Sequence, residues 1–275
     1  MKLASLFDHP NALPTAPRVV QELIESFDSE SVSIPEVTRK LAVDPVLSAK
    51  LLRLANSAYY HVSRSISTVD DAVTMLGFVT VRTLVISNGL VNGFKSMPGL
   101  DLHKFWRYSL HTAVAAKWLA KTAKQNSDEA FTVGMMHAIG QLVMHTAMPE
   151  QSLQIDKMAG PTDSRRLDIE RSSFGYDFAD VGAELARRWK FPDAFANAIE
   201  HFPEPVEHST FVPMAAILHL AVWRARTEEN HLSEDELRAT CPTEVEERLG
   251  LAAYTTLDQM PPTADLAAGL EDLVS

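Results

Sequence analysis

The sequence predicts an all-α, multi-helical fold with more than ten helices. Apolar residues recur at helical spacing in nearly every segment, strand-like alternation is missing, and prolines at 161, 192, 203, 205 and 213 punctuate the second half. A first helix is expected from Thr15 to Phe27, where Val19, Val20, Leu23, Ile24 and Phe27 form one apolar stripe. Asp28 and the Ser/Glu run after it end this helix. A second spans about Ile34 to Val43. Asp44 and Pro45 open a third: an aspartate accepts from free N–H groups, and proline has none to leave unpaired. Val46, Leu47, Leu51, Leu52 and Leu54 are expected on its buried side. Ser67 or Thr68 can cap VDDAVTML, Gly77 is placed to end it, and a long apolar helix follows from about Val79 to Phe94.

KSMPGLD, residues 95–101, is the best candidate boundary, dividing the chain into 1–97, 98–228 and an acidic helical extension, 229–275. Beyond it LHKFWRYSLHTAVAAKWLAKTA and FTVGMMHAIGQLVMH are read as helices. Further helices are expected near 165–172, 177–189, 192–201 and 211–227, then SEDELRAT and PTEVEERLGLA as two short amphipathic ones. No internal repeat or low-complexity tract interrupts the pattern.

Composition narrows the class. The 275 residues are 46% hydrophobic and 22% charged, as in an ordinary globular protein with a substantial core. The single cysteine, Cys241, cannot pair within the chain, and the N-terminus lacks the apolar core of a secretory signal. No run approaches the ~20 apolar residues of a membrane span, so the expected location is cytoplasmic. The net charge is −11, and from Glu228 onward twelve Asp or Glu face only Arg238 and Arg248. Basic pairs such as Arg39-Lys40 and Arg165-Arg166 are scattered and read as solvated helix faces, which argues against a nucleic-acid binder. The acidic extension reads as a docking segment or as extra packing helices.

Common catalytic motifs are missing. There is no G-x-S-x-G, no G-x-x-x-x-G-K and no H-x-x-x-H, and Cys241 lies between Thr240 and Pro242 with no histidine nearby in sequence. His137 and His145 are eight residues apart and do not form a chelating i, i+4 pair. Trp106, Trp118, Trp189 and Trp223 sit in helical apolar patterns and read as core.

Two stretches together resemble a known family. LAVDPVLSAKLLRLANSAYY followed by ISTVDDAVTMLG resembles the N-terminal half of the HDOD family. FWRYSLHTAVAAKWLA, GMMHAIGQLVMH and FGYDFADVGAELARRWKFPDAFANAIEHF are similar to its HD-type half. The resemblance covers about Leu13 to Trp223. It implies an N-terminal helical subdomain packed on an HD-like helical domain related to metal-dependent phosphohydrolases. In active members of that superfamily, His and Asp residues on separate helices hold one or two divalent metals that activate water. Such centres need imidazole nitrogens and carboxylate oxygens together.

At the corresponding positions this chain carries Tyr108, the pair His137-Ala138, Phe178, the pair His201-Phe202 and Val222, with Gln141 where a lysine often follows. Only His137 and His201 keep a ligand type. No carboxylate stands at either expected acidic position, so no catalytic residue, metal or cofactor is expected. Asp177 and Asp180 flank Phe178 and read as helix-terminus charges, Asp177 as a cap. The resemblance thus implies a non-catalytic signal-transduction module acting through protein–protein or small-ligand binding, with a signalling enzyme of the cyclic-dinucleotide network among the partner classes. Arg53, Asn56, Ser57, Tyr59 and Tyr60 in RLANSAYY form a candidate interaction surface, with a polar helix junction the favoured reading of the segment. Two other classes stay open: a phosphohydrolase with a divergent site using His111, His137, His201 and His219, and a nucleic-acid-binding regulator.

Overall fold

Side-chain caps fix where many of the helices begin. In this computed structural model, which describes residues 2–8, 18–25, 33–94, 97–207 and 210–274, α1 (Leu3–Leu6) and α2 (Arg18–Glu25) come first. Ser33 caps α3 (Ile34–Val43), and Asp44 accepts from the Val46 and Leu47 N–H groups at 3.0 Å to start α4 (Pro45–Ala55). A 3-10 turn, Ala58–Tyr60, leads to α5 (Val69–Leu76), capped by Thr68, and α6 (Phe78–Gly93). Asp101 caps α7 (Leu102–Thr122), and Asn126 caps α8 (Ser127–Met136). Then come α9 (Ile139–Ala147), α10 (Pro149–Met158), α11 (Arg166–Phe174), α12 (Phe178–Arg188), α13 (Asp193–His201) and α14 (Pro213–Glu229). The C-terminal segment contains α15 (Glu234–Thr240), α16 (Thr243–Arg248), α17 (Thr255–Asp258), α18 (Thr263–Ala267) and a 3-10 turn, Glu271–Leu273. Among the described residues there is no strand, as the period of the sequence requires.

One apolar core runs through both halves, from Leu6 and Leu41 through Leu84 and Leu142 to Leu273. Helix α6 ties the halves together: every residue from Val81 to Val91 is buried, and it packs on α2, α4, α5 and α8. A helix covered on all sides has no solvent-facing stripe, which explains why its apolar residues do not segregate to one face and why Arg82, Thr83, Ser87 and Asn88 are buried with them. Helices α7, α8 and α14 form the centre of the second half. Among the described residues no single helix is long and apolar enough to cross a membrane.

The acidic C-terminal segment folds back onto the rest of the chain. Leu270 and Leu273 are fully buried, and Asp272 pairs with Arg53 at 2.9 Å. The fully buried Glu246 accepts from the Tyr254 and Thr256 N–H groups, both at 2.6 Å, and so staples the segment's own turns.

Several expectations change. Thr15–Pro17, Phe27, Asp28 and Lys95–Ser96 lie outside the described residues. Val46 is 65% exposed and Leu47 and Leu52 only half-buried, because α4 presents Leu51, Leu54 and Ala55 to the core instead. Arg166 lies on no solvated face: it is buried among carboxylates. The apolar run 131–145 is two helices, since the backbone leaves helical geometry at Ala138 (φ −105°, ψ 6°).

The glycine just after that break lets α9 cross α12 closely. A Cβ on Gly140 would stand 2.0 Å from the Phe178 carbonyl oxygen and 2.7 Å from the Gly182 nitrogen, both backbone atoms that no rotamer change can move. Gly140→Ala is expected to destabilise the fold by about 2 kcal/mol or more despite alanine's better helix propensity. Gly160→Ala, with nothing within 4 Å of the new Cβ, should stay within about 0.5 kcal/mol of wild type in the same urea titration.

Candidate functional site

Four of the family positions meet around one cavity of about 200 Å³. Tyr108, Phe178, Phe202 and Val222 line it, with His219 and Arg226 from α14 and the loop Pro161–Ser164 across its mouth. His137 packs behind this wall, its ring 5.1 Å from Tyr108 and 6.2 Å from Phe202 in edge-to-face geometry. Its Nδ1 lies 2.8 Å from the Gly134 carbonyl, one of the last carbonyls of α8, which lack helical partners. That contact occupies one ring nitrogen, while Nε2 is buried without a hydrogen-bond partner. Ala138 is buried beside it. His201 does not line the cavity; its Nδ1 sits 2.8 Å from Asn197 O on its own helix, and Phe202 occupies the inward position.

The histidines proposed as substitutes are not brought together. His219 lines the cavity with Nδ1 2.8 Å from Phe202 O, whereas His111 lines a separate cleft with His103 and Arg107. Among the described residues no group of three or more His, Cys, Asp or Glu is arranged to hold a metal ion. Asp163, the one carboxylate among the described residues that lines the cavity, is bound by the Arg165 guanidinium through Nε at 3.0 Å and Nη2 at 2.6 Å.

A buried charge chain that the sequence reading missed supports this wall. His145 Nε2 lies 3.1 Å from Asp156, whose other oxygen accepts from Arg166 at 2.6 Å. Arg166 also donates to Glu170 at 2.7 Å, and Glu170 accepts the Phe178 N–H at 2.8 Å. Burial pushes Asp156 upward, but its bonds to His145 and Arg166 outweigh this and leave it below the usual carboxylate range. Gln141 adds a tether, donating to Pro161 O at 3.2 Å. The i, i+4 spacing of Arg166 and Glu170 was a readable signal; Asp156, ten residues upstream, gave none. Thr162, Asp163, Ser164 and Arg226 at the cavity mouth were also missed. Asp177 caps α12 as expected, accepting from Ala179 N–H at 2.7 Å.

The RLANSAYY segment forms a helix junction. Asn56 donates to Leu52 O and Ile66 O and accepts from Ile66 N–H, all at 2.7 Å. Tyr59 and Tyr60 are half-buried and meet edge to face at 4.8 Å. The C-terminal segment lies against this junction: a Cβ on Gly269 would come within 2.9 Å of Tyr59 N and 3.4 Å of Ser57 Cβ. Trp106 and Trp223 are buried, Trp118 and Trp189 half-buried. Burial and the neighbouring Glu246 push the Cys241 thiol up to about 12, which makes it a poor nucleophile.

Burial lowers His137 to about 4, against the bond to Gly134, which favours protonation. Below an ordinary pKa near 6.5 the unfolded chain takes up a proton that the folded ring refuses until about 4. Stability is therefore lost as pH falls through this window, by on the order of 3 kcal/mol at its foot. His111 and His219, also lowered by burial, act in the same sense. Urea unfolding of wild type and His137→Gln between pH 7.5 and 4 isolates the His137 share; the two curves should converge on acidification.

Comparison with known proteins follows the same architecture. Residues 13–205 match the HDOD domain model. A crystal structure from Shewanella amazonensis SB2B, provisionally described as a phosphohydrolase, superposes with a TM-score of 0.78 at 30% identity, covering 99% of this chain and 98% of that one. An HDOD domain protein of unknown function from Geobacter sulfurreducens gives 0.74 at 22% identity over 98% and 93% of the two chains. A protein from Marinobacter aquaeolei VT8, provisionally described as a signal transduction protein, gives 0.74 at 21% over 97% of this chain and 59% of that one. An uncharacterized protein of Treponema pallidum is 24% identical over 229 residues, and the match spans 80% of this chain but only 44% of that longer relative. With most of its length matched by the domain and its helices superposing throughout, the chain belongs to the HDOD family.

Proposed function

We propose that this HDOD chain is a signal-transduction module that works by binding, without hydrolytic turnover. One observation carries the reading. Where metal ligands would be needed, the cavity wall consists of Phe178, Phe202, Val222 and Tyr108, with Ala138 beside His137, and burial pushes the Tyr108 hydroxyl up to about 12, which disfavours a phenolate ligand. Methyl groups and phenyl rings have no lone pair, and His137 has one ring nitrogen left to offer. This donor set does not fit a hydrolytic divalent-metal centre, which needs several strong contacts including carboxylates. Asp163 could be recruited only by breaking its contacts with Arg165.

Function then rests on surfaces and on the cavity. A signalling protein, with cyclic-dinucleotide enzymes as one class, is the kind of partner the family suggests. The description of the Marinobacter relative as a signal transduction protein accords with this, while that of the Shewanella relative as a phosphohydrolase marks the alternative.

Metal titration decides between them. Purified protein dialysed against Mn²⁺, Fe²⁺ or Zn²⁺ should retain no stoichiometric metal and should not turn over bis-p-nitrophenyl phosphate. Stoichiometric metal and turnover, both abolished by His137→Ala, would establish the hydrolase instead.

A further inference from the structure

The cavity does not end at its aromatic wall. A second cavity of about 570 Å³, lined by Thr227, Asn230, Leu232 and Thr240, adjoins it. Thr162, Asp163, Ser164, Trp223 and Arg226 line both. Both chambers have mixed walls: beyond the residues they share, the inner one is lined by the aromatic rings of Tyr108, Phe178 and Phe202, and the outer one by Thr227, Asn230 and Thr240 beside Leu232. Together they fall within the size range of small-molecule sites, and apolar cavities of roughly 150 Å³ already accept a benzene-sized ring.

Charge defines the junction. Among the described residues Asp163 is the only carboxylate lining either chamber, and it is hydrogen-bonded to Arg165 while also feeling the charge of Arg226. Arg226 is half-buried, lines both chambers, and among the described residues makes no ion pair. Its neighbours on α14 differ, since Arg224 pairs with Glu228 at 2.8 Å and Glu229 with Arg107 at 2.6 Å. His219 is held neutral by burial, and a proton on the Nδ1 beside Phe202 O leaves Nε2 as an acceptor. The cleft therefore carries a net positive charge, because two guanidiniums, Arg165 and Arg226, act on the single carboxylate of Asp163. A guanidinium there matches a planar two-oxygen group, phosphate or carboxylate.

We propose that this cleft binds a small aromatic anion, with its ring in the chamber walled by Tyr108, Phe178 and Phe202 and its phosphate or carboxylate on Arg226. The proposal deepens the non-hydrolytic reading and rests on it in treating the ligand as bound but not consumed.

Calorimetric titration with four probes tests it: 5′-AMP, indole-3-acetate, inorganic phosphate and indole. At least one of the two aromatic anions should bind at one per chain, and which one binds separates a phosphate ligand from a carboxylate. Inorganic phosphate and indole, each supplying half of the chemistry, should bind roughly tenfold more weakly or worse. Arg226→Gln should weaken the aromatic anion roughly tenfold or more, with Arg226→Lys intermediate. Val222→Phe, which fills the inner chamber, should also abolish binding, and thermal melts verify that each variant is folded. Failure of both aromatic anions, inorganic phosphate binding as tightly as either, or an unchanged affinity in Arg226→Gln would overturn the site. Turnover of 5′-AMP with bound metal would instead overturn the non-hydrolytic reading and leave the binding site standing.

Discussion

The structure depends on the crossing of α9 and α12, where Gly140 lets one backbone lie against another. Phe178 O and the Gly182 nitrogen occupy the space that any larger residue would need at position 140. This crossing places Phe178, the first residue of α12, in the cavity wall, while the chain just before Gly140 turns at Ala138. The same α12 turn is held from three sides: Asp177 and Asp180 cap each other's backbone N–H groups, Glu170 accepts from Phe178 N–H, and Arg171 pairs with Asp177 at 2.6 Å. A close backbone approach of this kind admits little adjustment, so the cavity inherits its shape from the helix crossing and not from its own side chains.

The buried chain His145–Asp156–Arg166–Glu170 serves the same wall. Buried ion pairs contribute little net stability compared with well-packed apolar residues, because desolvation offsets most of the attraction. Their value here is geometric. Arg166 also donates to Ala159 O at 3.1 Å, so one guanidinium links α10, the turn after it and α11. Together with Gln141 it positions the loop that closes the cavity mouth. A loop held by fixed hydrogen bonds suits a preformed binding site, where less ordering is needed when a ligand arrives.

The side chains around the cleft set what it can recognise. Oxygen ligands would make it a site for cations and the phosphates they carry. Rings and a guanidinium suit the flat, negatively charged molecules proposed above. The acidic C-terminal segment encloses the outer chamber through Leu232 and Thr240 and reaches across to Arg53 and the Asn56 junction. The cleft and the seating of that segment are thus physically adjacent.

Much of the fold was legible in the residues. Caps at Asp44, Thr68 and Asp177, together with apolar period, located most helices to within a residue or two, because both signals are local. That Ala138, Phe178 and Val222 carry no lone pair was equally plain, since a side chain's atoms are fixed by its identity. What the residues could not convey were relations between distant segments. The break at Ala138, the exposure of Val46, the burial of Arg166 and the outward setting of His201 follow from which helix lies against which. Likewise, only folding brings Arg226 beside Asp163 at the cleft and pairs Glu229 with Arg107. Local chemistry is set by sequence; the pairing of charges and the opening of a cleft are settled only when helices pack.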